Sequence, residues 1–357
     1  MNTKLPSLTA LLSAIGLAGI LTGCDSPATA ASSATPCMAQ LGRFTAPDVP
    51  AMGPAETASP AGRWTNAITP AGLPGKGLAQ HPMLYVGENY TKMFLVNDGK
   101  VLWTYQTGPG FEYDDVWMLS NGNILFSRMQ YAAEVTPNKE VVWRLDAPNG
   151  TEIHTVQPIG LDRVLLVENG QPAPKLLVVN TKTKTVEVDH TLDPCGGTHA
   201  QFRRIRMTAQ GTYLAPYLQA NKVVEYDKDF NVIWSYNIKS PWAALRLKNG
   251  NTLITDEQES LTREVNQKGE TVWELKSNEL PEAYRFNQAP QTCARLAGGN
   301  TIFCSRGGAG KGPQLVEVTP DKNVVWVLQD WQDLGDATAV QILDDPGKPE
   351  IPGDLQR

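Results

Sequence analysis

The stretch "LKNGNTLI", Leu247 to Ile254, is followed by "KGETVW", Lys268 to Trp273. Each joins a polar turn to a short apolar strand. Asn-Gly between alternating apolar residues is a strong hairpin signal, because a type I′ turn needs positive φ at both central positions. Outward from this pair, both patterns recur along the chain. The second half returns as "KMFLVNDGKVLW" (Lys92–Trp103), "AAEVTPNKEVVW" (Ala132–Trp143) and "KLLVVNTKTKTVEV" (Lys175–Val188). It then returns as "KVVEYDKDFNVIW" (Lys222–Trp234), "TREVNQKGETVW" (Thr262–Trp273) and "QLVEVTPDKNVVW" (Gln314–Trp326). Five of the nine tryptophans close a copy, and only the third copy carries another residue, Val188, there. The first half returns as "VWMLSNGNILF", "VQPIGLDRVLLV", "RIRMTAQGTYLA" and "ARLAGGNTIF".

Each repeat is therefore four strands, A to D, in an antiparallel meander of about 44 residues, the size of a propeller blade. The first unit has strands B (near Leu84–Val86), C and D but no strand A. One orphan strand of the A pattern, "TAVQIL" (Thr338–Leu343), follows the last tryptophan. Placed innermost in the first blade, it completes an all-β, six-bladed propeller and removes an open sheet edge. A seven-bladed ring with a degenerate blade and an open β-solenoid are the alternatives; the orphan strand favours six.

The N-terminus has a different character. "MNTKLPSLTALLSAIGLAGILTGC" carries Lys4, an apolar run from Leu8 to Leu21, then small residues, which is the build of a secretory signal. Its end, Leu21-Thr22-Gly23-Cys24, resembles the bacterial lipobox. That resemblance implies that Cys24 becomes an acylated N-terminus and that the protein is anchored on the periplasmic side of the bacterial envelope. Inner and outer membrane are not distinguished, and an ordinary signal peptide cut at a nearby Ala is the alternative. Residues 25–80, rich in Ala, Pro and Ser, read as a tether; 81–345 form the propeller and 346–357 a loose tail.

The chain has 31 basic and 37 acidic side chains, a net charge of −6. A mildly acidic chain argues against nucleic-acid partners, since phosphate binding needs a basic face. A monomer is expected. Besides Cys24 there are Cys37, Cys195, Cys293 and Cys304, enough for two disulfides in three possible pairings. Cys293 and Cys304 lie symmetrically about Gly298-Gly299, so a simple hairpin sets them opposite each other. Cys37 with Cys195 follows by elimination. The cysteine spacings are not those of a zinc site, and no metal or cofactor is expected.

The turn "L-x-N-G-N-x-L" followed by "E-V-x-x-x-G-x-x-V-W" resembles the quinoprotein-like propeller superfamily over Leu84 to Asp345. That group includes arylsulfotransferase-type propellers, quinoprotein dehydrogenases and outer-membrane assembly scaffolds. These motifs are turn and inter-blade packing residues, so they imply architecture, and function must be argued from a site.

Aligning strands A gives a ring at the channel mouth: Asp114, His154, Phe202, Trp242, Gln291 and Thr338, then Asp115, Thr155, Arg203, Ala243, Thr292 and Ala339. This mixture departs from the repeat, and such departures are where function is expected. Arg206, Arg246 and Arg295 hold one position in three successive blades. They form either a cationic patch for an anionic ligand or, the favoured reading, ion pairs with Glu225, Glu264 and Glu317. Of the histidines (His81, His154, His190, His199), His154 and His199 precede neighbouring strands A. With Arg203 they suit the group transfer that the arylsulfotransferase resemblance implies. The family's full constellation does not match these positions. "GGAGKG" (Gly307–Gly312) lacks the Ser or Thr of a phosphate loop. The sequence favours binding of a small anionic ligand or a protein at the mouth over catalysis.

Overall fold

The computed structural model describes residues 34–47, 70–87, 91–107, 112–286, 290–306, 310–331 and 334–357. The signal segment with Cys24, and residues 307–309 of the "GGAGKG" stretch, lie outside them. Blade 1 contains β1 (Met83–Val86), β2 (Lys92–Asn97) and β3 (Lys100–Gln106). Blade 2 is β4 (Val116–Met118), β5 (Ile124–Ser127), β6 (Tyr131–Val135) and β7 (Val141–Asp146). Blade 3 is β8 (Glu152–Ile159), β9 (Arg163–Asn169), β10 (Lys175–Asn180) and β11 (Val186–Thr191). Blade 4 is β12 (Arg206–Met207), β13 (Tyr213–Tyr217), β14 (Lys222–Tyr226) and β15 (Val232–Asn237). Blade 5 is β16 (Pro241–Arg246), β17 (Thr252–Asp256), β18 (Leu261–Val265) and β19 (Thr271–Lys276). Blade 6 is β20 (Pro290–Arg295), β21 (Thr301–Ser305), β22 (Leu315–Val318) and β23 (Val324–Leu328). The last strand, β24 (Ala339–Ile342), pairs antiparallel with β1, giving six four-stranded blades in a ring. The orphan strand thus closes the first blade as expected.

The recurring tryptophan is explained by its indole N–H. Trp103 donates to Pro137 O at 3.0 Å, Trp234 to Gln267 O at 3.1 Å and Trp273 to Pro320 O at 2.9 Å. Each bond runs from an outer strand to the next blade, so one side chain supplies both buried ring area and a satisfied donor at each joint. Trp326 makes the same bond, at 2.9 Å, to Gly77 O, in a segment that precedes blade 1.

The hairpin turns differ from the expected type I′. In "KNGN" only Gly250 has positive φ (87°), with Gly250 N–H donating to Leu247 O and Leu247 N–H to Asn251 O. This is a three-residue loop ending in a left-handed glycine. The turn at Gly299 (φ 94°) is built the same way, and there the extra residue shifts the register by one. Cys293 faces Phe303 and Cys304 faces Thr292, so the two thiols point to opposite faces of the blade, into separate cores. The expected Cys293–Cys304 disulfide is therefore absent. Cys37–Cys195 is absent too: Cys37 packs beside Met118 and Cys195 beside Tyr217, and all four thiols are free and buried.

Parts of the segment expected to be a tether are built into the ring. Cys37 and Phe44 are buried, with Phe44 edge-on to Trp103 at 5.3 Å, and Pro74 O accepts from Val327 N–H. Residues 346–357 are not a loose tail either. They cross the base of the ring, the end at which the inner strands finish. Glu350 O accepts from Gly160 N–H (2.9 Å), and the Glu350 carboxylate accepts from Ser120 N–H. The Gln356 side chain accepts from Lys248 N–H (2.7 Å), and Gln356 O accepts from Arg295 N–H (2.9 Å). Polar contacts to successive inter-strand turns hold this segment, which is why it carries no apolar periodicity.

Candidate functional site at the channel mouth

At the opposite end, hydrogen bonds between blades fix the inner strands. Ser127 Oγ donates to His154 O (2.8 Å), Asn169 Nδ2 to Phe202 O (2.8 Å) and Thr155 Oγ1 to Arg203 O (3.0 Å). Thr255 Oγ1 donates to Gln291 O (2.9 Å) and Thr292 Oγ1 to Thr338 O (2.7 Å). Four of the six blades, 2, 3, 5 and 6, thus pin the backbone of the next blade at the mouth.

The mouth residues also sit where strand pairing is interrupted. The register of β8 with β9 shifts between Ile153 and Val156, leaving His154 and Thr155 in a bulge. Similar shifts fall at Trp242 and Ala243 in β16 and at Gln291 in β20. A bulge bends a strand and re-aims its side chains, a device common beside functional sites.

Four of the expected residues meet at one place, Asp114, His154, His199 and Arg203, joined by Glu112 and Glu152. Asp114 Oδ2 lies 2.7 Å from His154 Nδ1, and Glu152 Oε2 bridges His154 Nε2 (2.8 Å) and His199 Nδ1 (2.9 Å). Arg203 Nη1 donates to Glu112 Oε1 at 2.7 Å, and the Arg203 guanidinium lies 4.6 Å above the Trp242 ring. The two imidazoles are edge-on at 5.4 Å. His154 is 1% exposed, whereas the His199 side chain is 56% exposed, so the cluster rises from the channel wall to solvent.

Burial disfavours a charged His154, but the Asp114 carboxylate beside it prevails and raises its pKa above the ordinary histidine value. Burial likewise opposes the Asp114 charge, yet His154 and Arg203 hold its pKa below the usual range. Glu152 is also held below that range despite burial, by its bonds to both histidines.

One ligand atom each from Glu112, His154 and His199 lies within 4.8 Å of the others. Carboxylate and imidazole atoms this close are a donor set that one cation can share, and Asp114 on Nδ1 holds His154 as carboxylates hold metal-bound imidazoles. Glu112 and His199 come from two different inter-strand connections and His154 from β8, so no spacing motif announces them. Glu152 was legible in principle: it stands two residues before His154 on one strand, hence on the same side.

Gln291 and Thr338 are buried in blades 6 and 1, and Phe202, next to Arg203, is buried against Tyr217 of the same blade. Arg246 and Arg295 are not at the mouth. Arg246 pairs with Glu225 across one blade joint and Arg295 with Glu264 (2.9 Å) across the next, each over an outer-strand tryptophan. Arg206 departs from that pattern and binds Asp115 through both Nη atoms, at 2.7 and 3.1 Å.

No family model matches the sequence, and no curated protein does either. Among solved structures, a protein of unknown function from Bacteroides caccae is 26% identical, with a TM-score of 0.66 over 72% of this chain and 97% of that one. A catalytically inactive virginiamycin B lyase from Staphylococcus aureus is 13% identical, with a TM-score of 0.52 over 74% of this chain and 90% of that one. A streptogramin B lyase, also 13% identical, has a TM-score of 0.51 over 75% and 89%. The lyase likenesses reach the fold alone, and the chain is a six-bladed β-propeller similar to these proteins.

Proposed function

We propose that this chain is an exported, lipid-anchored propeller whose mouth binds a divalent transition-metal ion through Glu112, His154 and His199. The ion's open positions then take a small anionic ligand or a partner's carboxylate. The observation that carries this reading is the convergence of the three ligand atoms within 4.8 Å, with Asp114 fixing His154. Charge supports it. Glu112, Asp114 and Glu152 bring three negative side chains against one guanidinium, Arg203, and a divalent cation balances the remainder when both imidazoles are neutral. Imidazole and carboxylate donors suit zinc and its first-row neighbours.

Calorimetric titration of the metal-free protein with zinc is expected to show one site. His154→Ala and His199→Ala should each weaken it at least tenfold, and Asp114→Asn by about tenfold or more. Absence of stoichiometric binding by the wild type, or undiminished binding by the double histidine variant, would refute the metal reading. The anchor rests on Leu21–Cys24. Cys24→Ser should move the protein from the membrane to the soluble fraction; persistence in the membrane would count against acylation.

A second reading, sulfuryl or similar group transfer by His154, His199 and Arg203, draws on the 2.8 Å approach of Arg203 Nη1 to His154 Nδ1. The three carboxylates around these groups oppose an anionic ester. Turnover of an aryl sulfate by metal-free protein, lost in His154→Ala, would displace the binding reading.

A further inference from the structure

The base of the channel carries a charge pattern that the mouth does not use. Arg204, Arg206 and Arg357 are all buried there, each at most 4% exposed, around a single buried carboxylate, Asp115. Arg206 takes both Asp115 oxygens, and Arg204 Nη2 lies 3.5 Å from Oδ1 while donating to Asp114 O at 2.8 Å. Arg357 is left on the outside of this arrangement. Its Nε donates to Val340 O (3.2 Å), its guanidinium lies 4.1 Å over the Trp117 ring, and its nearest Asp115 oxygen is 4.0 Å away. Neither Nη1 nor Nη2 of Arg357 has a hydrogen-bond partner among the described residues.

Three guanidinium side chains therefore face one carboxylate side chain. The main-chain oxygen of Arg357 accepts from Arg206 Nε at 3.0 Å. Even if that oxygen is credited with a full negative charge, one cation is left over. A buried charge without a counter-charge is strongly unfavourable, and arginine does not relieve it by losing its proton at neutral pH. Burial disfavours the charged forms of Arg357 and Arg206, pulling them down to about 9 and about 10 respectively, still above physiological pH. Beside them lies a cavity of about 20 Å³ whose lining includes Arg206, Thr208, Gln356 and Arg357. That is room for one species of water or halide size. The one other arginine in its lining, Arg246, has its own partner in Glu225.

We infer that this cavity binds a single monovalent anion of chloride size, drawn by the excess positive charge of the arginine trio and held by the N–H groups of Arg357, whose guanidinium turns from its solvent-shielded position to meet it. The anion completes the hydrogen bonding of Arg357 and fastens residues 346–357 across the base. This site is independent of the metal reading at the mouth, and its test uses metal-free protein. Thermal unfolding is measured in sodium chloride and in sodium gluconate at equal ionic strength. At roughly hundredfold excess over Kd, chloride should raise the midpoint by about 5 °C, saturably, whereas gluconate is too large to enter. Arg357→Gln should unfold at the same midpoint in both salts. Equal wild-type midpoints, or an undiminished chloride shift in Arg357→Gln, would overturn the inference. Should that variant fail to fold, bromide-soaked wild-type crystals decide it. An anomalous peak within hydrogen-bond distance of Arg357 Nη supports the site, and a water-only cavity removes it.

Discussion

Gly87 is a single residue on which ring closure depends. It follows β1, and a Cβ built there would lie 1.5 Å from the main-chain oxygen of Asp336. That oxygen belongs to the segment leading into β24, where Thr338 N–H donates to Val86 O at 3.0 Å. Backbone cannot rotate away as a side-chain tip can, so Gly87→Ala must displace β24 or tear it from β1. We expect a loss of about 3 kcal/mol or more in urea unfolding, the range of severe overpacking. Gly298→Ala is the control, because its Cβ meets nothing within 4 Å; it should cost about 0.5 kcal/mol or less. Similar costs for the two variants would show that the close approach at Gly87 is not limiting. Nothing in "YVGEN" distinguishes this glycine from the turn glycines, because the clash comes from a segment about 250 residues away in sequence.

At the scale of strands and turns, what could be read was what every blade repeats. The outer-strand tryptophan stands out because four joints use the same indole bond. β24 stands out because a period-2 strand without neighbours needs a sheet. What escaped was register. A two-residue and a three-residue loop read alike in "GGN", but they set Cys293 against different partners, and the disulfide expectation failed on that one residue. Bulges escape for the same reason: His154, Trp242 and Gln291 are displaced by pairing irregularities that hydrophobic alternation does not encode. Residues 346–357 were misread because hydrogen bonds to turns, rather than burial of an apolar stripe, hold them in place. The mouth histidines were legible as departures from the repeat. Glu112, whose partners lie in other blades, was not.

The whole ring is held by a series of blade joints, and one of them titrates. Two of the joints pair a guanidinium with a carboxylate, Arg246 with Glu225 and Arg295 with Glu264. Where blade 6 meets blade 1 the cation is instead His81. Its Nε2 is 3.0 Å from Glu317 Oε2, its Nδ1 is 3.5 Å from Asp344, and its ring is edge-on to Trp326 at 5.1 Å. Burial alone would lower its pKa, but the bonds to Asp344 and Glu317 outweigh that and raise it from 6.5 to about 9. A folded pKa above the unfolded value means the protonated joint stabilises the fold. That contribution is complete below about pH 6.5 and disappears as pH rises through about 9, amounting to at most roughly 3 kcal/mol. Urea unfolding of the wild type should therefore weaken between pH 6 and pH 9.5. His81→Gln keeps a hydrogen-bonding side chain but cannot take up the proton, so it should lie lower at pH 6 and converge on the wild type at pH 9.5. Parallel pH profiles for the two proteins would mean that the joint is indifferent to the charge on His81. Convergence would identify the seam closed by β24 as the place where alkaline pH loosens the ring.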